Sequence, residues 1–429
     1  MALAGLLTIL AFLAAILSKR MSVITALVLV PLAAALIVGT PLKELGPMML
    51  DGIKQVAPTG IMLVFAVLYF AIMLDVGLFD PIIKKLLQLV GGDPLKVLLG
   101  TAILTMLVHL DGDGTATFMI VISAFLPLYE RLQIKKIYLA GIVALGVGPI
   151  HLVPWSGTSA RAISTLQTDA THIFNPNLWA IAGGILWVLF VAYVWGKKER
   201  KRLGIQEVSL ESVADASGSA AFKRPRLVVF NAFLTVGLIF VLIKGFWPTP
   251  VLFLVGAMLA LWINFPQLST QQQVLKSHGG NIFSVSSMIF AAGIFSGILT
   301  GTKMIESMAE AMVHAVPAAN ANLIPVLTAI TSVPASLLFT PDAYYFGVVP
   351  VLAKTMSSYG LDALQIGRAA LLGQMTVGFP ISPLTASTFL LINLTKVELG
   401  EHQKNVFLWA VGTSLVMTLI AILTGSISI

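Results

Sequence analysis

Residues 110–117 read Leu-Asp-Gly-Asp-Gly-Thr-Ala-Thr and interrupt an apolar stretch that covers residues 95–128. A helix crosses a membrane with about 20 apolar residues, so this stretch is too long for one crossing, and it is broken near its middle. Irregular backbone at membrane depth persists only where protein or a water-filled cavity satisfies its hydrogen bonds. The stretch therefore predicts a re-entrant hairpin that enters and leaves by the same face, with its tip beside a polar cavity.

The composition of the whole chain agrees with a membrane environment. Of the 429 residues, 57% are hydrophobic and 10% are charged, and the mean hydropathy is +0.95. Soluble domains carry about 25% charged residues, so the composition excludes a soluble globule and predicts an all-α polytopic membrane protein. The chain has no cysteine, which excludes disulfides and thiolate metal sites. Much of the net charge of +7 lies in one hydrophilic stretch and reflects membrane orientation, so no nucleic-acid partner is expected.

Ten other apolar runs are each long enough for one crossing, and a second long stretch at residues 323–352 is also broken near its middle. The ten runs cover residues 3–17, 23–38, 59–74, 137–153, 178–195, 227–243, 251–265, 283–300, 365–379 and 406–423. They predict a first repeat at 1–196 with a hairpin at about 95–128, a linker at 197–226, and a second repeat at 227–429 with a hairpin at about 323–352. Each repeat then has five transmembrane helices and one re-entrant hairpin.

The linker at residues 197–226 carries a cluster of basic residues at each end. Loops rich in Lys and Arg lie on the cytoplasmic side of membranes, so we expect this linker in the cytoplasm and the first residue outside. With five crossings before the linker, Lys19 and Arg20 also fall inside. The middle of the linker, residues 209–220, is small and polar and predicts flexible chain rather than a folded domain.

The two halves repeat the same order of landmarks: a glycine that ends a helix, an aspartate at a hairpin tip, a proline that leaves the hairpin and a proline that interrupts the next helix. The matched pairs are Gly77 and Gly297, Asp113 and Asp342, Pro127 and Pro350, and Pro154 and Pro380. Because five crossings is an odd number, the second copy starts on the opposite side of the membrane, and the repeats are inverted. Inverted repeats with broken helices at the midplane are typical of secondary transporters.

Asp111 and Asp113 are the candidates for chemistry in the first hairpin. A charge near the bilayer centre costs at least a few kcal/mol, so intramembrane carboxylates indicate function by default. With the hydroxyl of Thr115 they suit a hard metal cation, and two carboxylates that face one cavity also suit proton carriage. The alternative is that both aspartates cap the second hairpin helix in the headgroup region. His109 fits a buried, hydrogen-bonded histidine better than a ligand.

The first predicted helix break, at residues 154–161, contains an isolated arginine. Arg161 is the only basic residue between Lys136 and Lys197 apart from histidine, and its planar fork pairs with carboxylates. It could instead snorkel to the interface or pair with Asp169. The candidate substrate-binding residues of this break are Arg161, Ser156, Gly157, Thr158 and Ser159. Two alternatives stay open: His151 as a core or a functional histidine, and Trp155 as a cavity wall or an interfacial belt residue.

The second half supplies hydroxyl groups and one carboxylate at its breaks, but no arginine. This set suits positioning of the substrate and contact with a cation rather than neutralisation of an anion. The candidates are Thr340, Asp342 and Tyr344 at the hairpin tip, and Ser382, Thr385, Ser387 and Thr388 at the helix break. Asp342 joins Asp111 and Asp113 as a candidate for metal or proton binding, whereas Tyr344 could equally be a packing aromatic.

Several strings resemble the citrate-metal:proton symporter family of the ion-transporter superfamily, and the similarity covers nearly the whole chain. The strings are Ser-Lys-Arg-Met-Ser at 18–22, Asp-Gly-Ile at 51–53, Gly-Leu-Phe-Asp-Pro at 77–81, Gly-Asp-Pro-Leu-Lys at 92–96, Leu-Asp-Gly-Asp-Gly-Thr at 110–115, Pro-Asp-Ala-Tyr-Tyr-Phe-Gly at 341–347, Gly-Phe-Pro-Ile-Ser-Pro-Leu-Thr at 378–385 and Leu-Gly-Glu-His-Gln-Lys at 399–404.

The resemblance implies proton-driven uptake of citrate, as a complex with a divalent metal ion of the Mg²⁺ or Ca²⁺ class, across a bacterial inner membrane. By analogy with the superfamily, it also implies a homodimer with elevator-like movement. Fully ionised citrate is a trianion, and a divalent cation leaves a monoanion that one arginine and helix termini can hold without prohibitive desolvation. The metal is then a co-substrate, and no permanent cofactor is expected.

Three other functions fit parts of the sequence. The nearest is a sodium-coupled carrier of di- or tricarboxylates without bound metal. An intramembrane metal-dependent enzyme would use His109, Asp111, Asp113 and His151, but the chain lacks a His-Glu-x-x-His ligand set, so no enzyme activity is expected. A passive anion channel is disfavoured, because hairpins that meet at a closed midplane site favour stoichiometric coupling.

Overall fold

The structure is a computed structural model that describes residues 1–18, 20–206 and 222–429. These residues form twenty α-helices and no strand. The helices are α1 (Ala2–Leu17), α2 (Val23–Ile37), α3 (Leu42–Asp75), α4 (Asp80–Val90), α5 (Pro94–Val108), α6 (Gly114–Arg131), α7 (Lys136–Ile150), α8 (Gly157–Leu166), α9 (Ala170–Phe174), α10 (Leu178–Leu203), α11 (Val228–Lys244), α12 (Thr249–Asn264), α13 (Leu268–Gly301), α14 (Met304–Ala315), α15 (Leu323–Leu338), α16 (Pro341–Ala343), α17 (Val349–Ser358), α18 (Leu364–Leu371), α19 (Ala386–Thr395) and α20 (Leu399–Leu423). Lys19 and the middle of the predicted linker lie outside the described residues.

Short helical turns of other types connect several of these helices. Turns of 3-10 helix cover His109–Asp111, Asn175–Asn177, Pro225–Leu227, Ala318–Asn320 and Phe379–Ile381. One π-helical segment covers Tyr344–Val348, directly after α16. Segments of π-helix occur frequently at functional sites, so this segment marks the region around residue 344 for attention.

Within the described residues, six helical stretches are long and apolar enough to cross a membrane. They are Leu42–Asp75, Pro94–Asp111, Ala170–Leu203, Pro225–Lys244, Leu268–Gly301 and Leu399–Leu423, and shorter apolar helices accompany them. The prediction of an all-α protein built from many apolar helices is confirmed. The number of crossings and the re-entrant course of the two hairpins stay predictions, because helix length alone does not fix depth in a bilayer.

The helices of the two halves follow the same order. The third helix of each half, α3 and α13, has 34 residues, and a short helix follows each, α4 with 11 residues and α14 with 12. The second helix of each half packs against the third helix of the other half, α2 against α13 and α12 against α3. This exchange joins the two halves through their longest helices.

The two long helices α3 and α13 run antiparallel. Gly52 near the start of α3 contacts Gly293 and Gly297 near the end of α13, whereas Asp75 at the end of α3 lies 2.8 Å from His278 near the start of α13. A Cβ atom on Gly52 would overlap the carbonyl oxygen of Gly293, so only glycine permits this approach. The third helices of the two halves therefore point in opposite directions.

One predicted landmark has a different role from the one expected. Gly297 was expected to end a helix as Gly77 does, but α13 continues through it to Gly301. The turn falls instead at Lys303, whose φ of +59° is left-handed. Gly297 is a glycine because its Cα lies against the backbone of α3, not because the chain turns there.

The predicted crossing at residues 365–379 is also shorter than expected, since α18 ends at Leu371. The following chain packs closely on α15, where Cβ atoms on Gly373 and Gly378 would overlap the hydroxyls of Ser332 and Ser336. A regular helix would carry side chains into that contact. The second break is therefore longer than its counterpart in the first half.

The start of the predicted linker is helical, because α10 continues to Leu203. Arg200 in this last part of α10 pairs with Asp93, the residue that caps α5. The hydrogen-bonded guanidinium lowers the pKa of the Asp93 carboxyl below its usual value. At the far end of the linker, Lys223 lies 2.8 Å from Asp80 in α4. Both ends of the linker are thus anchored to the first half.

Gly52→Ala should destabilise the protein, because the added methyl group overlaps the Gly293 carbonyl and forces α3 away from α13. Overpacking of this kind costs about 1–3 kcal/mol. Thermal unfolding in detergent micelles measures the effect. Gly46→Ala on the same helix is the matched control, since a Cβ atom there meets nothing within 4 Å. Equal unfolding temperatures for the two variants would contradict the glycine crossing.

Candidate functional site

Four interruptions of helical structure meet around one cavity. Two are the turns of the predicted hairpins, the first tip at residues 109–113 and the second tip at 339–342, and two follow them, the first break at 151–156 and the second break at 372–385. The cavity has a volume of about 390 Å³, and residues from all four interruptions line it together with α3 and α13. Broken helices that meet at a cavity leave main-chain ends and polar side chains available to a ligand.

The first tip turns at Gly112. This residue has a φ of +78°, and a Cβ atom on it would lie 3.1 Å from the Trp155 ring. Glycine is therefore required at position 112 for two reasons: the backbone is left-handed, and the first break lies too close for a side chain. The turn allows α6 to start at Gly114, whose Cα lies against the Phe379 ring of the second break.

Both aspartates of the first tip line the cavity. Asp113 caps α6 by accepting a hydrogen bond from the Thr115 backbone N–H at 2.9 Å, as the capping alternative expected. Asp113 also lines the cavity, which the capping alternative did not expect. Asp111 Oδ1 accepts from the Asp113 backbone N–H at 2.9 Å, and its Oδ2 is buried without a hydrogen-bond partner in the described part of the chain. Buried carboxylate oxygens normally have a partner, which a cation in the cavity would supply.

The first break presents the N-terminus of α8 to the cavity. Ser156 caps this helix by accepting a hydrogen bond from the Ser159 N–H at 3.1 Å, and its hydroxyl donates to the His151 carbonyl at 2.6 Å. The Ser159 hydroxyl donates to another carbonyl of the break at 3.1 Å. These two hydroxyls therefore satisfy interrupted backbone, whereas Gly157 and Thr158 line the cavity. The helix N-terminus adds partial positive charge to this wall.

Arg161 lies one turn into α8 and lines the cavity. Its Nε donates to Asp342 Oδ1 at 2.7 Å, and the exposed fractions of the two side chains are 12% and 6%. Nη1 donates to the Gly157 carbonyl at 2.8 Å, and Nη2 lies 2.6 Å from the sulfur of Met288. Both alternatives from the sequence are wrong, because Arg161 is buried and Asp169 instead caps α9. Arg161 is a cation whose carboxylate partner belongs to the second tip.

A chain of hydrogen-bonding contacts links the first tip to both breaks. It runs from the Asp113 carbonyl through Thr117, His109, His151 and Thr158 to the Met375 carbonyl, with distances of 2.9, 2.9, 2.7, 3.2 and 3.0 Å. The two imidazole rings meet edge to edge, with planes 14° apart, and His151 also stacks on Phe379 with ring centroids 5.0 Å apart. Both histidines are buried. They connect the interruptions, and only His151 reaches the cavity.

The two hydroxyls at the ends of this chain donate to carbonyls, Thr117 to Asp113 and Thr158 to Met375. Two neutral imidazoles then supply two hydrogens for the three remaining contacts, those between the two histidines and from each histidine to a hydroxyl. The neutral chain is thus one proton short of full bonding.

Trp155 forms an aromatic wall of the cavity. Its side chain is buried, its Nε1 donates to the Leu110 carbonyl at 2.7 Å, and its ring stacks on Phe70 with centroids 5.0 Å apart. The edge of Phe253 packs against it at 5.1 Å. The interfacial-belt alternative is excluded, since these contacts place Trp155 between the first tip, α3 and α12.

Ser336 of α15 holds the second break in place. Its hydroxyl donates to Gln374 Oε1 at 2.6 Å and accepts from the Met375 N–H at 2.9 Å, while its carbonyl accepts from the Ser382 hydroxyl. Met375 has a φ of +52°, a conformation that costs free energy for a residue with a side chain. The bonds from Ser336 therefore maintain a strained residue at the cavity wall. Sequence reasoning did not select Ser336, because one serine in an apolar helix forms no pattern.

The hydroxyls of the second break mainly satisfy its own backbone. Thr385 and Thr388 each donate to the Phe379 carbonyl at 3.0 Å. From α20, the buried ring of His402 contacts a further carbonyl of the break at 3.0 Å. Thr385 and Ser387 line the cavity. Packing the break in this way leaves few hydroxyls for a ligand.

The second tip is a short helix followed by the π-helical segment. Thr340 caps α16 by accepting a hydrogen bond from the Ala343 N–H at 3.3 Å. The Tyr345 hydroxyl donates to the Gln374 carbonyl of the second break at 2.9 Å. Tyr344 packs against Phe339 with centroids 6.0 Å apart, as its packing alternative expected. The tip thereby holds Asp342 against Arg161.

Half of the residues selected from the sequence line the cavity: Asp111, Asp113, His151, Trp155, Gly157, Thr158, Arg161, Thr385 and Ser387. The others, Ser156, Ser159, Thr115, Thr340, Ser382, Thr388, Asp342, His109 and Tyr344, do not belong to its lining. Lining residues that sequence reasoning missed include Phe70, His278, Asn281, Met375 and Phe379. Most of these are apolar or lie on long helices, where no local signal separates a cavity wall from ordinary core.

Comparison with known proteins identifies the family. Residues 12–373 match the CitMHS family, described as citrate transporter. The chain belongs to this family. It is 49% identical over 429 residues to the citrate transporter of Bacillus subtilis strain 168, with 100% of both chains covered. It is 48% identical over 432 residues to the Mg²⁺/citrate complex secondary transporter of the same organism, which covers 100% of this chain and 99% of the relative. These relatives are transporters rather than enzymes.

Two solved transporter structures share the fold of this citrate transporter family member. The YdaH transporter of Alcanivorax borkumensis, described as having an unusual topology, matches with a TM-score of 0.62 at 15% identity over 90% of each chain. MtrF of Neisseria gonorrhoeae, described within a class of antimetabolite efflux pumps, matches with a TM-score of 0.58 at 13% identity, covering 90% of this chain and 85% of its own. At these identities the likeness concerns architecture alone.

Ser336→Ala should destabilise the protein, because it leaves the Met375 N–H and Gln374 Oε1 buried without these partners. Each unsatisfied group costs about 1–3 kcal/mol. Thermal unfolding in detergent measures the loss. Ser284→Ala on α13 is the control, since that exposed hydroxyl donates to a carbonyl of its own helix at 2.9 Å. If both alanine variants unfold at the same temperature, Ser336 does not anchor the second break.

Proposed function

We propose that this protein is a proton-coupled symporter that takes up citrate as a complex with a divalent metal ion of the Mg²⁺ or Ca²⁺ class. One observation carries the proposal: the same cavity presents the buried guanidinium of Arg161 and the carboxylates of Asp111 and Asp113. A planar guanidinium suits a citrate carboxylate, and carboxylate oxygens suit Mg²⁺ or Ca²⁺. The cavity thus offers partners to both components of the complex.

Charge accounting supports the metal complex over free citrate. A trianion in this cavity would meet one guanidinium and the three carboxylates of Asp75, Asp111 and Asp113, and the carboxylates would repel it. A divalent cation reverses that relation, because it binds citrate and the aspartates together. The relative that is 48% identical and named an Mg²⁺/citrate complex secondary transporter supports the same cargo. The metal is a co-substrate here, not a permanent cofactor.

The antiparallel course of α3 and α13 supports inverted repeats with two re-entrant hairpins. Helices α2, α3, α12 and α13 pack on one another, whereas α5, α7, α10, α15 and α20 form a second set around the hairpins and breaks. We infer that the second set carries the substrate past the first in an elevator movement, within a homodimer in the bacterial cytoplasmic membrane. Helix α8 contacts α3 and α13 of the first set and α18, which packs on α15 of the second set, so it would slide at their boundary.

The lining of the cavity supports an orientation for this conformation. Asp75 and His278 line the cavity at the end of α3 that precedes the turn to α4. The Asp80–Lys223 ion pair anchors the linker at that same turn. With the linker in the cytoplasm, the cavity then lies toward the inside, in a conformation that releases citrate to the cell.

Arg161→Ala should abolish citrate uptake while the protein still reaches the membrane. Losing the charge-assisted hydrogen bonds to a carboxylate removes about 3 kcal/mol, which weakens binding about 100-fold. Uptake of labelled citrate with Mg²⁺ into proteoliposomes measures the effect, and Arg161→Lys should recover part of it, because a lysine keeps the charge without the fork. The exposed Lys54→Ala serves as control. Normal uptake by Arg161→Ala would refute Arg161 as the anion anchor.

Asp113→Asn should change the order of preference among divalent ions, because one anionic ligand becomes a neutral amide. Uptake of labelled citrate across a panel of divalent ions measures this order, and the exposed Asp51→Asn is the control. Identical orders for Asp113→Asn and the unaltered protein would remove Asp113 from the metal site. Uptake that persists with a chelator and follows a sodium gradient would favour the sodium-coupled alternative.

A further inference from the structure

Arg161 already holds a carboxylate in this conformation, and that carboxylate belongs to the protein. The Arg161 Nε and Asp342 Oδ1 are 2.7 Å apart, and both side chains are largely buried. We propose that Asp342 stands in for a substrate carboxylate on Arg161, and that it takes up one proton when the substrate displaces it. This inference rests on the proposed function, because it names the group that couples citrate binding to protons.

The contacts of Arg161 make the two carboxylates competitors. Nη1 is engaged by the Gly157 carbonyl at 2.8 Å and Nη2 faces the Met288 sulfur, so the edge that Asp342 occupies is the place for a strong acceptor. A citrate carboxylate that takes the edge of the fork that includes Nε must replace Asp342, whereas the edge formed by the two terminal nitrogens is already shared with the Gly157 carbonyl. Adding it beside Asp342 would also place two anions on one cation. Binding of citrate to Arg161 therefore displaces Asp342.

A displaced Asp342 cannot keep its charge without cost. Its side chain is 6% exposed, and an uncompensated buried carboxylate costs several kcal/mol. A proton taken up from solvent removes this penalty by forming an O–H bond on the carboxyl group. When citrate leaves, the proton returns to water and the ion pair forms again. One proton therefore accompanies each substrate.

In the described part of the chain, the elements that pack most closely on α16 provide Asp342 with no second cation. They are α1, α8 and the π-helical segment. Helix α1 has no ionisable side chain, α8 has only Arg161, and the π-helical segment has the phenols of Tyr344 and Tyr345. Among the groups of these elements, Arg161 alone can neutralise an ionised Asp342. Once citrate occupies Arg161, protonation neutralises Asp342, because these neighbouring elements provide no other cation.

The aspartates of the first tip have a different relation to charge. Neither Asp111 nor Asp113 forms an ion pair within the described residues, so neither exchanges a cationic partner when citrate arrives. Their carboxylates instead face the cavity, where the metal of the complex enters. The three carboxylates thus have different roles: Asp111 and Asp113 contact the metal, and Asp342 takes up the proton.

Proton uptake during binding tests the proposal on the purified full-length protein. Mg²⁺-citrate is added in weakly buffered detergent solution with a pH indicator, and binding is measured in parallel by calorimetry. The unaltered protein should take up about one proton per citrate bound, and its Kd should rise about tenfold per pH unit where Asp342 must be protonated. Asp342→Asn should bind without proton uptake and with a Kd that does not depend on pH. Asp362→Asn is the matched control, because Asp362 also pairs with an arginine, Arg368, but its side chain is half-exposed and does not contact Arg161.

Each outcome decides one of the two proposals. Failure of the unaltered protein to bind citrate with any divalent ion would overturn the proposed function itself. Proton uptake by Asp342→Asn equal to that of the unaltered protein would overturn only the role of Asp342, as would loss of binding in a folded Asp342→Asn. Should the asparagine variant not fold, Asp342→Glu decides, since it keeps the carboxyl and must keep the proton uptake. A changed order of metal preference in Asp342→Asn would make Asp342 a metal ligand and contradict the exchange.

Discussion

Interrupted backbone in an apolar protein has to find hydrogen-bond partners, and this requirement organises the site. The four interruptions satisfy one another: Trp155 donates to the first tip, Thr158 donates to the second break, and Ser336 bonds both sides of the second break. Most hydroxyls near the cavity are used in this way. The groups left for a ligand are therefore charged, the guanidinium of Arg161 and the carboxylates of the first tip. Such a site selects its substrate by charge rather than by a shell of hydroxyls.

The contact between α3 and α13 would make this pair of helices the fixed part in the proposed elevator movement. Glycines at their crossing let the two backbones touch, and each long helix also packs on the second helix of the other half. Close backbone contact resists sliding, because any shift brings side chains into the crossing. Helix α8, which follows the first break, packs on both α3 and α13. The proposed elevator movement would therefore occur at the helix that carries Arg161.

Local sequence signals predicted the interruptions well and their partners poorly. Glycine, proline and intramembrane aspartates marked both tips and both breaks, because these residues have a clear cost inside an apolar helix. The same signals could not show that Arg161 pairs with Asp342 or that His109 meets His151, since those contacts join residues far apart in the chain. The early end of α18 also escaped prediction, because its cause is the close packing of Gly373 on α15. The cavity-lining residues of long apolar helices such as α3 also escaped prediction, because no local signal separates a cavity wall from ordinary core.

The proposed coupling of citrate to protons would follow from the neutrality of the pair formed by Arg161 and Asp342. With the pair intact, the empty carrier buries no net charge at this point. With a proton on Asp342 and citrate on Arg161, the anionic cargo neutralises the guanidinium instead. The two half-loaded states are different. Citrate without the proton leaves an uncompensated carboxylate, and the proton without citrate leaves an uncompensated guanidinium, each at a cost of several kcal/mol in a buried site. The same desolvation penalty would oppose both leaks, so a single ion pair would suffice to make the two cargoes travel together.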